Sequence, residues 1–316
     1  MEPIHQTRQK LLYQGALFVL LLGVCALFIF LTPEKKNEVV VEGPSTEEII
    51  TTPNPFDSLF IEAKAAYVLD ASTGEVLYQK NPELQLPLAS VTKVMVALTA
   101  QKTLPEYMLV SISKDDLLEE GDSGLLVGEK WKLKNLLDFA LVVSSNDAIR
   151  SIASVAGSEL SRSPATQPVE DYFIQAMNKT AREIGLTQSY FLNGSGLDLS
   201  GELSGGYGSV QDMAKLFSYV LNEYPTLLEA TRYSNIAISS DSAVHSAQNT
   251  NKVIDAIPGV IASKTGFTDL SGGNLVVVFN AGIMKPVVIA LLGSSREGRF
   301  SDMQALVNAT IQKMAQ

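Results

Sequence analysis

Sulfur and imidazole are scarce in this 316-residue chain. Its one cysteine, Cys25, excludes an intrachain disulfide and any cysteine-rich zinc site. Its two histidines, His5 and His245, exclude a histidine-rich metal centre and leave a Ser-His-Asp triad at most one usable imidazole. No metal or cofactor is implied by the residues present. Positive charge is short as well: 24 Lys+Arg face 34 Asp+Glu, a net charge of −10. A nucleic-acid binder needs a basic face to neutralise phosphates, so that class is excluded. Charged residues make up 18% and hydrophobic residues 46%, a globular balance and not a disordered one. The length suits roughly two domains or one large one, and no internal repeat is visible.

Leu11 to Thr32 is an apolar run with Gln14 its most polar member. As a helix, those residues would reach about 33 Å, enough to cross a bilayer core. A cleaved signal peptide has a shorter apolar stretch and a small-residue cleavage site, which is not seen here. The run therefore reads as an uncleaved N-terminal anchor. Arg8 and Lys10 precede it and Lys35 and Lys36 follow it, so the flanking charges do not fix its orientation. Cys25 lies inside the span. Leu22-Gly23-Val24 fit a lipoprotein cleavage box poorly, so this cysteine reads as lipid-facing. Residues 33–55, rich in Pro, Thr and Glu, read as an extended acidic linker. A globular body then runs from 56 to 316.

In that body, Ala65–Asp70 and Val76–Lys80 flank a Ser72-Thr73-Gly74 turn, a predicted hairpin. A helix is predicted from near Ser90, with Pro87 just before it, and another from near Asn146. A third covers Val169–Ile184, with Gly185 as its stop. Asn274–Phe279 and Pro286–Leu292 read as buried strands. A last helix takes Ser301 as N-cap, with Met303, Leu306, Val307, Ile311 and Met314 as its apolar stripe. Strands at both ends and helices between them predict an α+β body, with one antiparallel sheet drawn from both ends.

Three short motifs carry chemistry. Ser90-Val91-Thr92-Lys93 places a hydroxyl and an amine on one helical face, with Cβ atoms about 5–6 Å apart. Such a pair alone is expected roughly once in a chain this long, and a helix cap plus a surface lysine would explain it. Lys264-Thr265-Gly266 is rarer, about one such chain in fifteen. It offers a cation and a hydroxyl for a carboxylate, and a glycine that admits a close backbone approach. Ser144-Ser145-Asn146 by itself is an ordinary helix cap. Together, in this order and 54 and then 120 residues apart, the three resemble the penicillin-recognising serine enzymes.

The surrounding segments PLASVTKVMVALTA, EEGDSGLLVGEKWKLKNLLDFALVVSSNDA, MNKTAREIGLTQSYFLNGSGLD and ASKTGFTDLSGGNLV resemble the low-molecular-weight D-alanyl-D-alanine carboxypeptidases, from about Ala65 to the C-terminus. The resemblance implies a β-lactamase/transpeptidase-like fold, a central antiparallel sheet flanked by helices with a helical subdomain. It implies Ser90 as nucleophile, Lys93 as its base, Ser144 as proton relay to the leaving amine, and Asn146 as holder of the substrate amide. Lys264, Thr265 and Gly266 would bind and flank the substrate carboxylate. The N–H groups of Ser90 and Phe267 would form an oxyanion hole, and Arg299 would stand near the terminal carboxylate. The expected partners are peptidoglycan stem peptides ending in D-Ala-D-Ala, and β-lactams as inhibitors. The expected setting is the cell membrane, single-pass, with residues 1–10 cytoplasmic and the catalytic domain extracytoplasmic.

For Lys93 to act as a base its pKa must fall well below about 10.4, and burial and the second cation Lys264 are both expected to lower it. Ser145 replaces a common glycine of the family and is expected to narrow the cleft or alter rate. Many relatives also carry an additional C-terminal β-domain and an amphipathic C-terminal anchor, whereas this chain ends about 50 residues after the third motif. Gly121-Asp122-Ser123-Gly124 matches the tetrapeptide around a chymotrypsin-like nucleophile, but the one histidine preceding it is His5. His245 acquires no role. A serine β-lactamase would need Glu-x-x-x-Asn between the second and third motifs, and none is present. The same three motifs would also serve a D,D-endopeptidase acting on cross-links, or stand in a catalytically dead wall-binding protein.

Overall fold

A computed structural model of the chain describes residues 53–121, 123–161 and 167–316. The predicted anchor, 11–32, and most of the predicted linker lie outside the described residues. Among the described residues no helix is long and apolar enough to cross a membrane.

The predicted hairpin is present as β1 (Ala65–Asp70) and β2 (Val76–Lys80). Asp70 shapes its turn: its Oδ1 accepts the N–H groups of Ser72 at 2.8 Å and Thr73 at 3.1 Å. A short strand β3 (Leu86–Pro87) and a 3₁₀ turn (Ala89–Val91) lead into helix α1 (Thr92–Thr103). Pro87 thus belongs to a strand and not to the helix start. After β4 (Leu109–Ser111) and β5 (Lys130–Lys132) come α2 (Leu133–Val143), α3 (Asn146–Leu160) and α4 (Val169–Ile184). Gly185 ends α4 at φ 79°, as its position predicts. Then follow β6 (Tyr190–Phe191), β7 (Gly206–Gly208), α5 (Val210–Glu223), and the hairpin β8 (Asn235–Ser239) and β9 (Val244–Gln248). The chain closes with β10 (Val260–Thr268), β11 (Gly272–Asn280), β12 (Pro286–Ser294) and α6 (Gly298–Met314).

The main sheet runs β10-β11-β12-β1-β2, antiparallel throughout, so strands from both ends of the body do share one sheet. β11 and β12 are continuously apolar because both sheet faces are covered. Val276, Val278, Val288 and Ala290 face the helical block, whereas Leu275, Val277, Val287 and Ile289 face the other way, onto Met303 and Leu306 of α6. The period-two alternation of the strands thus divides one apolar run between two cores. Helix α1 is buried along its length from Thr92 to Ala100 and forms the axis of the helical block.

Ser301 is not the N-cap of the last helix. Ser295 Oγ accepts the Gly298 N–H at 2.9 Å, which starts α6 a turn earlier, and Ser301 Oγ instead donates to the Gly298 carbonyl at 2.9 Å. Asp302 on the same helix accepts from Glu62 N, Ala63 N and Ser294 Oγ at 2.7–3.0 Å, pinning α6 to the sheet.

Candidate active site

Ser90 sits in the 3₁₀ turn where the chain bends into α1, after Ala89 in the left-handed region at φ 48°. Lys93 is one turn further on, 0% exposed, in an otherwise apolar stretch of helix. Its Nζ lies 2.8 Å from Ser90 Oγ, 2.6 Å from Asn146 Oδ1 and 2.8 Å from the Ser195 carbonyl oxygen. Burial lowers its pKa from 10.5 to about 7, with the Glu119 carboxylate acting in the opposite direction. A neutral amine has two N–H donors and one lone pair. Asn146 and Ser195 satisfy the two donors, which leaves the lone pair for the Ser90 hydroxyl proton. This is the arrangement a serine needs in order to become a nucleophile at neutral pH.

The second motif lies where two helices meet. Ser144 ends α2 in the left-handed region at φ 63°, and Asn146 opens α3. Asn146 Nδ2 donates to the Glu120 carbonyl at 2.6 Å, which fixes the amide so that its oxygen faces Lys93. Ser145 does not narrow the cleft. It is buried, its Oγ caps α3 by accepting the Ala148 N–H at 3.0 Å, and it lies 2.7 Å from Ser123 Oγ. Substitution Ser145→Ala removes that cap and is expected to cost about 1 kcal/mol of stability, read as a lowered denaturation midpoint with unchanged m-value. Ser123 also donates to Asp147 at 3.1 Å, so it belongs to this helix-capping group and not to a histidine-activated nucleophile.

The third motif lies on β10, the terminal strand of the sheet, whose outer edge is bordered by no further strand. Lys264 Nζ donates to Ser144 Oγ at 2.9 Å and to the Thr265 carbonyl at 3.0 Å. Its pKa is held well below the usual lysine value by burial first, then by the Lys93 and Arg299 cations. The expected lowering of Lys93 by Lys264 is not what sets Lys93, where burial dominates; the repulsion is expressed at Lys264. Thr265 Oγ1 lies 2.5 Å from Thr250 Oγ1, which orients its hydroxyl.

Gly266 answers to the protein's own backbone: a Cβ there would stand 2.7 Å from the Leu88 carbonyl oxygen and 3.2 Å from Ser90 N. The glycine is what lets β10 lie against the nucleophile turn. Arg299 is 8% exposed, and its Nη1 donates to the Gly266 carbonyl at 2.6 Å. Burial lowers its pKa to about 10, so it remains a guanidinium at neutral pH. It braces β10 from the side of α6. Phe267 is half-buried, with the Arg296 guanidinium 3.9 Å from its ring centre.

Ser90, Lys93, Ser144, Asn146, Lys264 and Thr265 therefore converge, although they come from the turn before α1, α1 itself, the α2–α3 junction and β10. Several participants escaped sequence reasoning. The Ser195 carbonyl, the Glu120 carbonyl and Thr250 act through backbone or through contacts between distant segments. The one available signal was Asn193-Gly194-Ser195-Gly196, a turn-forming cluster. His245 lies outside the site. Its Nε2 is 2.6 Å from Glu129 Oε1, and its ring packs on Trp131 at 4.9 Å between centres. Burial pushes the Glu129 pKa up, but hydrogen bonds from Ser240, His245 and Leu126 outweigh it and hold the carboxyl below its usual range.

Residues 50–295 match the family model described as D-alanyl-D-alanine carboxypeptidase. The chain is 30% identical over 261 residues to D-alanyl-D-alanine carboxypeptidase DacF of Bacillus subtilis, covering 80% of this chain and 61% of that one. It is 29% identical to the D-alanyl-D-alanine endopeptidase of Pseudomonas aeruginosa, covering 67% and 66%. The chain thus spans just under two thirds of the length of both relatives. Among solved structures, a D-alanyl-D-alanine carboxypeptidase from Mycobacterium tuberculosis superposes with a TM-score of 0.69 at 26% identity, over 83% of this chain and 96% of that one. The Streptomyces K15 DD-transpeptidase has the same fold, with a TM-score of 0.71 at 23% identity over 80% and 98%. With the α+β architecture and the three converging motifs, these matches place the chain in the D-alanyl-D-alanine carboxypeptidase family, Peptidase_S11.

Proposed function

We propose that the protein is a serine D,D-carboxypeptidase that removes the terminal D-alanine from peptidoglycan stem peptides through an acyl-enzyme at Ser90. One observation carries this reading: the buried amine of Lys93 stands 2.8 Å from the Ser90 oxygen, with its other two contacts made by hydrogen-bond acceptors. Ser90 Oγ attacks the carbonyl carbon of the D-Ala-D-Ala bond as its proton passes to Lys93 Nζ. The N–H groups of Ser90 and Phe267 receive the developing oxyanion. Ser144 then delivers a proton to the departing D-alanine nitrogen, with Lys264 next to it. The C–N bond breaks and leaves an ester on Ser90, which water hydrolyses. Lys264 and Thr265 hold the departing carboxylate. Arg299, bonded to the Gly266 carbonyl, adds positive potential from behind the strand instead of touching the substrate. A β-lactam opened by the same serine forms an ester that water releases slowly.

A second reading, cleavage of cross-linked stem peptides, is supported by the endopeptidase names of the relatives from Pseudomonas aeruginosa and Escherichia coli, the latter 28% identical over 255 residues. Residues 11–32 are proposed as a single membrane anchor with the body outside the cytoplasm, because the substrate class is extracytoplasmic. Labelled penicillin is expected to mark Ser90, located by peptide mass. A label elsewhere, or none, ends the acyl-enzyme proposal. Product analysis on a stem pentapeptide and on a cross-linked dimer separates the two readings: free D-alanine from the first, monomers from the second.

A further inference from the structure

Glycines seat the segment before α6 on the end of the sheet. Gly273 of β11 stands opposite Phe267 of β10, and a Cβ at Gly273 would fall 2.1 Å from the Ser295 carbonyl oxygen. A Cβ at Gly272 would fall 2.6 Å from the Ser294 carbonyl oxygen. Because neither position has a side chain, the backbone at 294–295 lies directly against the β10–β11 pair. That approach carries Arg296 over the Phe267 ring, with its guanidinium carbon 3.9 Å from the ring centre.

Stacking of this kind engages the flat face of the guanidinium and leaves its in-plane N–H edge free. Arg296 is exposed, and among the described residues it makes no ion pair. The adjacent carboxylate, Glu297, is engaged by Lys252 at 2.8 Å. At the end of β10, Asp198 accepts from Thr268 Oγ1 at 3.0 Å and Leu270 N at 3.3 Å, and Asp269 is exposed in the turn beyond. Arg296 is therefore a cation with one face held still and its donor fork open, the geometry that a carboxylate meets with two parallel hydrogen bonds.

The course of β10 says which part of a substrate it meets. On the D,D-peptidase reading, which this inference rests on and deepens, Thr265 holds the α-carboxylate of the departing residue and the Phe267 N–H takes the oxyanion. Residues two apart on a strand share a face, so Phe267 follows Thr265 on one side of β10, about 7 Å further along. The guanidinium over Phe267 thus borders the departing residue. The methyl group of D-alanine is too short to meet it, whereas a side chain of glutamate length and the arginine fork together span that distance. We propose that Arg296, held on Phe267, is a specificity-determining residue for the leaving group, and that it favours a departing residue with a second carboxylate beside its α-carboxylate.

The test uses the full chain and three peptides that share Nα,Nε-diacetyl-L-lysyl-D-Ala and end in D-Ala, D-Gln or D-Glu. D-Gln and D-Glu differ in charge and hardly in size, so the ratio of their kcat/KM values reads the second carboxylate alone and cancels any general loss of active enzyme. The D-Glu peptide is expected to exceed the D-Gln peptide about fivefold, the upper range for an exposed ion pair, and this ratio is expected to shrink as salt is raised. Arg296→Gln is expected to bring it to about one. Arg296→Lys keeps the charge without the planar fork and is expected to hold it at about twofold. Equal kcat/KM for D-Glu and D-Gln, a preference for D-Gln, release of D-Ala with neither longer residue released, or a ratio that Arg296→Gln leaves unchanged would overturn this role of Arg296 while leaving the D,D-peptidase reading in place. Absence of release from all three peptides, with no penicillin on Ser90, would overturn that underlying reading instead.

Discussion

Lys93→Met is expected to reduce D-alanine release by about 10²–10⁴-fold, the range that a positioned general base contributes, while the fold survives. The lysine is buried among apolar residues of α1, and methionine has a similar unbranched length, so little cavity results. Circular dichroism and the thermal midpoint establish that the variant is folded; turnover of a stem pentapeptide establishes the loss. The pH profile of the unmodified protein supplies the independent check. Lys93 is active when neutral, so kcat/KM rises with pH and levels off above the lysine pKa of about 7. The Glu119 carboxylate favours the charged amine and so acts against that lowering. Glu119→Gln therefore moves the rising limb to lower pH. A limb that stays in place, or unaltered turnover in Lys93→Met, would remove Lys93 from the role of base.

Gly196→Ala is expected to disrupt the site as thoroughly by a purely steric route. Gly196 has φ 78°, where an L-residue is strained by about 1–2 kcal/mol. Its Cβ would fall 2.0 Å from the carbonyl oxygen of Ala89 and 2.9 Å from Thr92 Oγ1. Ala89 belongs to the turn that carries Ser90 and Thr92 opens α1 directly after it, and the first contact is backbone that cannot swing aside. Overpacking adds typically 1–3 kcal/mol, so a total loss of about 2–5 kcal/mol is expected from denaturant unfolding. Relief by displacement of the turn would also shift the Ser195 carbonyl from Lys93. Penicillin acylation therefore slows by more than the unfolded fraction explains. Stability and acylation both close to wild type would refute the clamp.

Local spacing made part of this molecule readable in advance. The i, i+3 relation of Ser90 and Lys93 needs one helical turn and nothing else, and that turn is present. The apolar runs of β11 and β12 announced a sheet covered on both faces, and Gly185 announced the end of α4. The misses share a cause. Ser301 has the residue type of a cap, but the helix begins at Gly298 with Glu297 at the cap position, and Ser295 accepts the Gly298 N–H. Ser145 looked like a cleft residue because its neighbours are; its own side chain turns back to cap the helix it precedes. Gly266 was explained by an incoming substrate, whereas the crowding partner is the protein's own Ser90 turn. The Ser195 carbonyl and Thr250 carry no side-chain signature of their roles, since each matters through what the fold brings opposite it. The strand carrying Lys264 was reached through motif resemblance and not through alternation, because small and polar residues interrupt its apolar pattern.

The pairing of β1 with β12, with Ala65 opposite Leu292, has a temporal consequence. The seam joins the first strand of the body to its last, so the sheet cannot close while synthesis is still under way. Contacts of such large sequence separation slow folding through the entropy of loop closure. A ribosome-bound chain that has already exposed Ser90 and Lys93 therefore still lacks the scaffold that would let them react. On the proposed reading, Ser90 gains its full setting only once β10 to β12 and the helix after them have joined the sheet.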